Sequence, residues 1–114
     1  MRGKNKSVDT ITVQPKLDEL YDSMEFTLAT GQTNYDVRAN VTGAFVNFDY
    51  YTTINIRSDQ NLTIRFNSTA NGVITIVSGR PFELDDLMKI NNILITNASG
   101  NTASIKILGI KKGE

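Results

Sequence analysis

From Met24 onward, apolar residues recur at every second position in short runs separated by turn-forming residues. Met24, Phe26 and Leu28 alternate with Glu25 and Thr27, the spacing of a strand with one buried face. The same rhythm runs through residues 35–41, 53–57, 62–67 and 74–76. Ile93-Leu94-Ile95 is almost continuously apolar, and Ala103, Ile105 and Ile107 mark the inward face of a last strand. Residues 31–34, 58–61, 78–79 and 97–101 are rich in Gly, Asn, Ser and Asp, which favour turns. Asn71-Gly72 predicts a tight hairpin. Residues 81–84 read as a short strand, residues 85–89 as one helical turn capped by an Asp, and residues 45–51 as an aromatic-rich stretch.

About eight short strands at regular spacing predict an all-β fold, an antiparallel β-sandwich of jelly-roll-like layout. An immunoglobulin-like sandwich is the competing layout, but its hallmark Trp and Cys pair are missing.

Residues 1–23 follow another pattern. Arg2, Lys4 and Lys6 form a basic tip, and Ile11 and Val13 alternate with Thr10, Thr12 and Gln14 as a short strand that Pro15 ends. Leu17, Leu20 and Tyr21 stand at helical spacing just after that proline. The expected organisation is an extended N-terminal arm over 1–23, the sandwich over 24–110 and a polar C-terminal tail over 111–114. The basic N-terminus has no apolar run behind it and does not read as a secretory signal. No apolar stretch reaches the ~20 residues of a membrane-spanning helix.

Composition narrows the chemistry. The chain's 114 residues suit one domain with one modest core. It has no cysteine and no histidine, so disulfides, Cys-based zinc sites and the commonest general base are excluded. Twelve basic residues balance twelve acidic ones, which gives no broad attraction to nucleic acid or an anionic membrane.

Glu83, Asp85 and Asp86 offer hard oxygen ligands of the kind calcium takes. No D-x-[DN]-x-[DN]-G spacing accompanies them, and they read as helix-capping and solvated charge. No cofactor or metal is expected. Paired carboxylates can hydrolyse glycosides, but no insertion builds a cleft, and Ser or Thr nucleophiles lack a histidine base. The chain is therefore expected not to be an enzyme. Asn5, Asn40, Asn61, Asn67 and Asn97 each begin an N-x-[ST] triplet, read as turn chemistry and not as glycosylation. Among Phe45, Phe48, Tyr50 and Tyr51, the two tyrosines are candidate ligand contacts, since exposed tyrosine rings stack on sugars or anchor protein partners. Leu94, Leu108 and Ile110 break strict alternation. With Ile11, Val13, Leu17 and Leu20 they form the candidate oligomer or partner interface. The basic ends, including Lys111 and Lys112, read as solvated or docked on an acidic neighbour.

Five segments carry a family likeness: Thr53-Ile54-Asn55-Ile56-Arg57, Leu62-Thr63-Ile64-Arg65-Phe66-Asn67-Ser68, Pro81-Phe82-Glu83-Leu84, Ile93-Leu94-Ile95-Thr96-Asn97 and Ala103-Ser104-Ile105-Lys106-Ile107-Leu108-Gly109. In strand rhythm and composition, about half of the chain, within residues 51–110, resembles small β-sandwich structural proteins of tailed bacterial viruses. The resemblance implies a virion component: a capsid decoration (auxiliary) protein, or a head or tail accessory protein. It further implies a homo-oligomer, a trimer on the capsid surface, whose arm contacts the capsid shell protein or a neighbouring subunit. Such a protein is made in the host cytoplasm, resides in the virion and has no catalytic residues. The competing expectation is a carbohydrate- or receptor-binding module on a phage tail or surface fibre.

Overall fold

The computed structural model describes residues 20–112. Eight strands lie in two four-stranded antiparallel sheets. They are β1 (Asp22–Leu28), β2 (Tyr35–Asp36), β3 (Tyr51–Ser58), β4 (Leu62–Phe66), β5 (Ile74–Ile76), β6 (Phe82–Ile90), β7 (Ile93–Thr96) and β8 (Ala103–Ile110). One helical turn, α1 (Val37–Asn40), follows β2. The sheet orders are β1-β8-β3-β6 and β2-β7-β4-β5. The first strand pairs with the eighth, the second with the seventh, the third with the sixth and the fourth with the fifth. A long antiparallel ribbon folded over itself, with successive pairs assigned to alternate sheets, produces this order. It is the jelly-roll sandwich.

The period-2 pattern explains the layers. On β8, Ala103, Ile105 and Ile107 are buried while Ser104, Lys106 and Leu108 face out. On β4, Leu62, Ile64 and Phe66 point inward. These side chains meet Met24, Ile54, Ile56, Ile76, Ile93 and Ile95 in one core. Each fully buried Ile or Leu contributes about 1.5–3 kcal/mol. The chain reversals fall at two ends. Residues 29–34, 59–61, 77–81 and 97–102 make one end. Residues 37–50, 67–73 and 91–92 make the other, where β1 starts and β8 finishes.

Several sequence expectations change in the structure. β1 begins at Asp22, so Asp22 and Ser23 belong to the sandwich and not to the arm. Leu20 and Tyr21 lie outside any helix. Residues 1–19, including Ile11, Val13, Leu17 and the basic tip, and residues 113–114 lie outside the described residues. The alternating stretch 35–41 is a strand only for its first two residues. Asp36 Oδ1 then accepts the Ala39 N–H at 3.0 Å and caps α1, a local carboxylate bond that wins over strand pairing. Asn71-Gly72 is not a two-residue hairpin turn, because Ile64 pairs with Ile74 and residues 67–73 form a longer loop. Asn67, at φ 72°, turns the chain there, and its side chain accepts the N–H of Asn91 at 2.7 Å. Residues 85–89 are part of β6 and not a helical turn. Tyr51 pairs with Ile90 and Thr53 with Asp85, so two steps along β3 match five along β6. This wide bulge contains Asp86 at φ 57° and pushes Leu87 into solvent, 76% exposed.

Gly109 is required for packing. A Cβ there would lie 2.7 Å from ring atoms of Tyr51, and that ring is fully buried. Gly109→Ala is expected to destabilise the fold by about 1–3 kcal/mol through overpacking. Urea denaturation checks this as a lower midpoint with an unchanged slope.

Candidate interaction surfaces and the buried tyrosine cluster

Asp22 and Tyr51 start two strands of the same sheet, and both are buried. The Tyr51 hydroxyl donates to Asp22 Oδ2 at 2.6 Å and accepts the Phe45 N–H at 2.7 Å. The same carboxylate accepts the Val46 N–H at 3.0 Å and the Asn47 side-chain N–H at 2.6 Å. Phe45 stacks on the Tyr51 ring at 4.3 Å, and Phe48 meets it edge-on at 6.2 Å. The Arg38 guanidinium lies over Phe45, 4.6 Å from the ring centre. Its Nη1 donates to the carbonyls of Asp49 and Asn91 at 2.8 Å each. The aromatic-rich stretch is thus a loop, residues 41–50, folded down onto Tyr51 and tied by backbone donors to Asp22. Burial and the bond to Asp22 push the Tyr51 phenol well above the usual tyrosine range.

Tyr51 is therefore not a ligand contact. It fills the core with both hydroxyl functions satisfied. Tyr50 is half-buried. Lys89 Nζ and Lys111 Nζ approach its ring centre to 5.0 and 4.6 Å, so its face is shared with two ammonium groups. Leu94 is also corrected. It is buried within the single chain, between its cross-strand neighbours Asp36 and Arg65. The Arg65 guanidinium is held beside it by Asn34 Oδ1 and the Asn71 carbonyl, both at 2.9 Å, and no second chain is needed to cover Leu94. Leu108 stays exposed and Ile110 half-buried on the outside of the β1-β8-β3-β6 sheet. Leu20 is 65% exposed.

Two of the acidic trio, Glu83 and Asp85, are committed to local bonds. Glu83 accepts from Asn55 at 2.9 Å. Asp85 accepts from Thr53 and from Lys112 Nζ, both at 2.9 Å. The lysine beside it and the threonine hydroxyl hold the exposed Asp85 carboxyl below its usual range, and the same contact raises Lys112. Among the described residues no three acidic side chains converge as a metal site. Asn97, which begins one of the N-x-[ST] triplets, is fully buried. Its amide donates to the Leu28 and Asn101 carbonyls at 2.9 Å, a turn-holding role.

Open hollows mark the outside. One of about 380 Å³ runs over Thr53, Asn55, Leu108 and Ile110 on the β1-β8-β3-β6 sheet. It continues past Asn55 and Leu108 into another of about 580 Å³ reaching Tyr21 and Arg57. On the other sheet a hollow of about 420 Å³ is lined by hydroxyls and amides, among them Gln60, Asn61, Thr63, Thr75 and Ser78. Sequence reasoning missed Tyr21, Val46, Leu87 and Met88 as exposed apolar residues. The adjacent Leu87-Met88 pair after Asp85-Asp86 was the available signal, since two consecutive apolar residues cannot share one face of a strand.

Tyr51→Phe removes one hydroxyl, leaves the part-buried Phe45 N–H without its acceptor and takes a donor from the buried Asp22 carboxylate. The expected cost is about 1–3 kcal/mol, read from urea midpoints near neutral pH. The phenol's folded pKa is raised, so its stabilisation is complete below the ordinary value of 10.0 and is lost as pH rises above it, where only the unfolded chain releases the proton. Wild-type stability is expected to fall with pH above about 10, and the Tyr51→Phe variant to show a shallower decline. Equal slopes would contradict the assignment. No family model, curated protein or solved structure matches this chain.

Proposed function

We propose that the chain is a non-enzymatic virion structural protein that decorates or cements a viral capsid through sandwich and arm contacts. The observation that carries this reading is the contrast between a complete core and an unfinished outside. The inward positions of both sheets are filled by the chain's own residues, while Leu20, Tyr21 and Leu108 stay exposed where residues 1–19 enter the sandwich. Apolar side chains left outside a well-packed sandwich fit a surface meant for other protein. The hollows are open, and the acidic side chains at the one over Thr53 and Asn55 are already bonded to Thr53, Asn55 and Lys112, which fits contact more than catalysis. The resemblance to structural proteins of tailed bacterial viruses supports the same reading.

Co-sedimentation of the purified protein with capsids of the encoding virus, assembled without it, tests the proposal. Saturable binding at a fixed ratio to the shell protein is expected, weakened roughly tenfold or more by Leu108→Asp through loss of about 1.4 kcal/mol or more. Capsids that take up none of it overturn the reading.

A second reading, a carbohydrate-binding module, is favoured by one observation. The hollow on the β2-β7-β4-β5 sheet presents Gln60, Asn61, Thr63 and Thr75 together, the hydroxyl and amide groups that bind sugar hydroxyls. With Tyr51 buried and the Tyr50 face shared with two ammonium groups, this reading places the sugar contact in the hollow. Glycan-array binding that disappears in Thr63→Val and Thr75→Val is the expected result on this reading. A blank array with folded protein removes it.

A further inference from the structure

Asn71-Gly72 loses its expected role as a hairpin turn, because residues 67–73 form a longer loop between β4 and β5. What the pair keeps is its chemistry. The side-chain amide of an asparagine is an acyl group, and the backbone nitrogen of the next residue can close a succinimide ring on its Cγ. A side chain on that next residue crowds the approach, and a hydrogen bond from its N–H occupies the nucleophile. Gly72 has neither. A Cβ built on it would meet no atom within 4 Å, and its N–H has no hydrogen-bond partner among the described residues. Asn71 and Gly72 are both exposed, so water and hydroxide reach them.

Other asparagines of the described residues lack this combination. No other asparagine of the chain precedes a glycine. After Asn67, the Ser68 N–H donates to the Phe66 carbonyl at 2.8 Å. After Asn40, the Val41 N–H donates to the Val37 carbonyl at 2.9 Å. After Asn91, the Asn92 N–H is engaged by Asn67 Oδ1. Asn97 is fully buried.

The surroundings of Asn71 bear on the same reaction. Asn71 Nδ2 donates to the Phe66 carbonyl at 2.7 Å, and the Asn71 N–H to the Ser68 carbonyl at 3.1 Å. Arg65 Nε donates to the Asn71 carbonyl at 2.9 Å, and Arg65 Nη1 is held in turn by Asn34 Oδ1 at 2.9 Å. Asn71 C=O and Gly72 N–H belong to one resonant peptide group. When that N–H loses its proton, the negative charge spreads onto the oxygen that Arg65 already contacts. Hydrogen bonds from a guanidinium to an anion are stronger than those to a neutral carbonyl, so Arg65 favours the deprotonated, nucleophilic form.

We propose that Asn71 is a site of spontaneous deamidation, promoted by Arg65. Hydroxide removes the Gly72 N–H proton, and the nitrogen bonds to Asn71 Cγ. The Cγ–Nδ2 bond breaks, and the amide nitrogen takes a proton from water and leaves as ammonia. One water then opens the succinimide. Addition at Cγ gives aspartate. Addition at the former backbone carbonyl gives isoaspartate, whose main chain runs through Cβ and Cγ. In isoaspartate the carboxylate forms on the carbon whose oxygen Arg65 Nε already contacts. Either product adds a negative charge to the loop and removes the Nδ2 donor from the Phe66 carbonyl. The inference does not depend on what the protein assembles with.

Peptide mapping by mass spectrometry tests it on the full chain, kept folded at mildly alkaline pH and sampled over time, with enzymatic methylation reporting isoaspartate. Asn71 is expected to convert before any other asparagine of residues 20–112, giving both aspartate and isoaspartate. Gly72→Ala suits the backbone, since Gly72 does not use a positive φ, and is expected to slow conversion about tenfold by blocking the approach that glycine allows. Arg65→Ala is expected to slow it about threefold or more in the folded chain through loss of one charged hydrogen bond. In concentrated urea, where the contact is gone, Arg65→Ala and wild type are expected to convert at the same rate. Circular dichroism verifies that both variants are folded. An Asn71 that stays intact in the folded chain while it converts in urea overturns the site. Conversion in folded Arg65→Ala as fast as in the wild type overturns the role of Arg65, and undiminished conversion in Gly72→Ala overturns the reaction.

Discussion

The contact between the Tyr51 hydroxyl and the Asp22 carboxylate holds the opening strand, the long loop and the central strand of one sheet in a single arrangement. A buried carboxylate is costly unless its lone pairs are used. Here Tyr51, Val46 and Asn47 all donate to it. The phenol in turn accepts from Phe45, so no member can leave without stranding another. Gly109 completes the arrangement because any side chain there would enter the space of the Tyr51 ring. Three strands adjacent in the sheet, β1, β8 and β3, thus meet at one point, and the positive φ of Phe45 at 55° is held by the stack it forms with Tyr51. Backbone strain of this kind persists only where its surroundings over-determine it.

Asparagine fulfils the corresponding role in the other reversals. Asn97 is buried and ties the end of β7 to β1 and to its own turn. Asn67 takes the N–H groups of both Asn91 and Asn92. Asn92 in turn accepts the Arg38 N–H at 3.1 Å and donates to Asp36 at 3.0 Å. Loops packed over a sandwich end carry backbone donors that need partners, and short amides supply both donor and acceptor from one side chain. This use of asparagine gives loop backbone groups at both ends their hydrogen-bond partners.

The layers were legible from period alone, because Met24, Ile54, Ile64, Ile105 and their neighbours obey strict alternation and fall on the inward face. Where local hydrogen bonding competes with alternation, the pattern misleads. Residues 37–40 alternate yet form a helical turn, since Asp36 caps it. Residues 85–89 look helical yet lie in a strand, since Thr53 and Tyr51 pair on either side of a bulge. Tyr51 reads as an exposed ring because nothing in its immediate sequence reveals a carboxylate 29 positions earlier. Leu94 reads as surplus because the cover given by Arg65 depends on Asn34 and Asn71, which are distant in sequence. The exposed Leu108 was visible as a misfit to alternation, and Leu20 as an apolar residue of the expected arm. Val46 was not, since its exposure follows from loop geometry.

The four edge strands of the two sheets are not alike. An unpaired edge invites pairing with another chain, and proteins guard edges by making them short or bulged. β2 has two residues, β5 has three, and β6 is broken by its bulge. β1 is different, with seven residues in continuous register against β8 and no proline or glycine among them. Its solvent-side positions carry one charge, Glu25, engaged by Lys106 at 3.7 Å. Among the described residues it is the long edge without a guard, and it begins beside Leu20 and Tyr21, where the remaining chain enters. The unguarded edge therefore begins where the described chain begins. Among the described residues the other three edges are short or bulged, so β1 is the edge at which strand pairing meets no local obstacle.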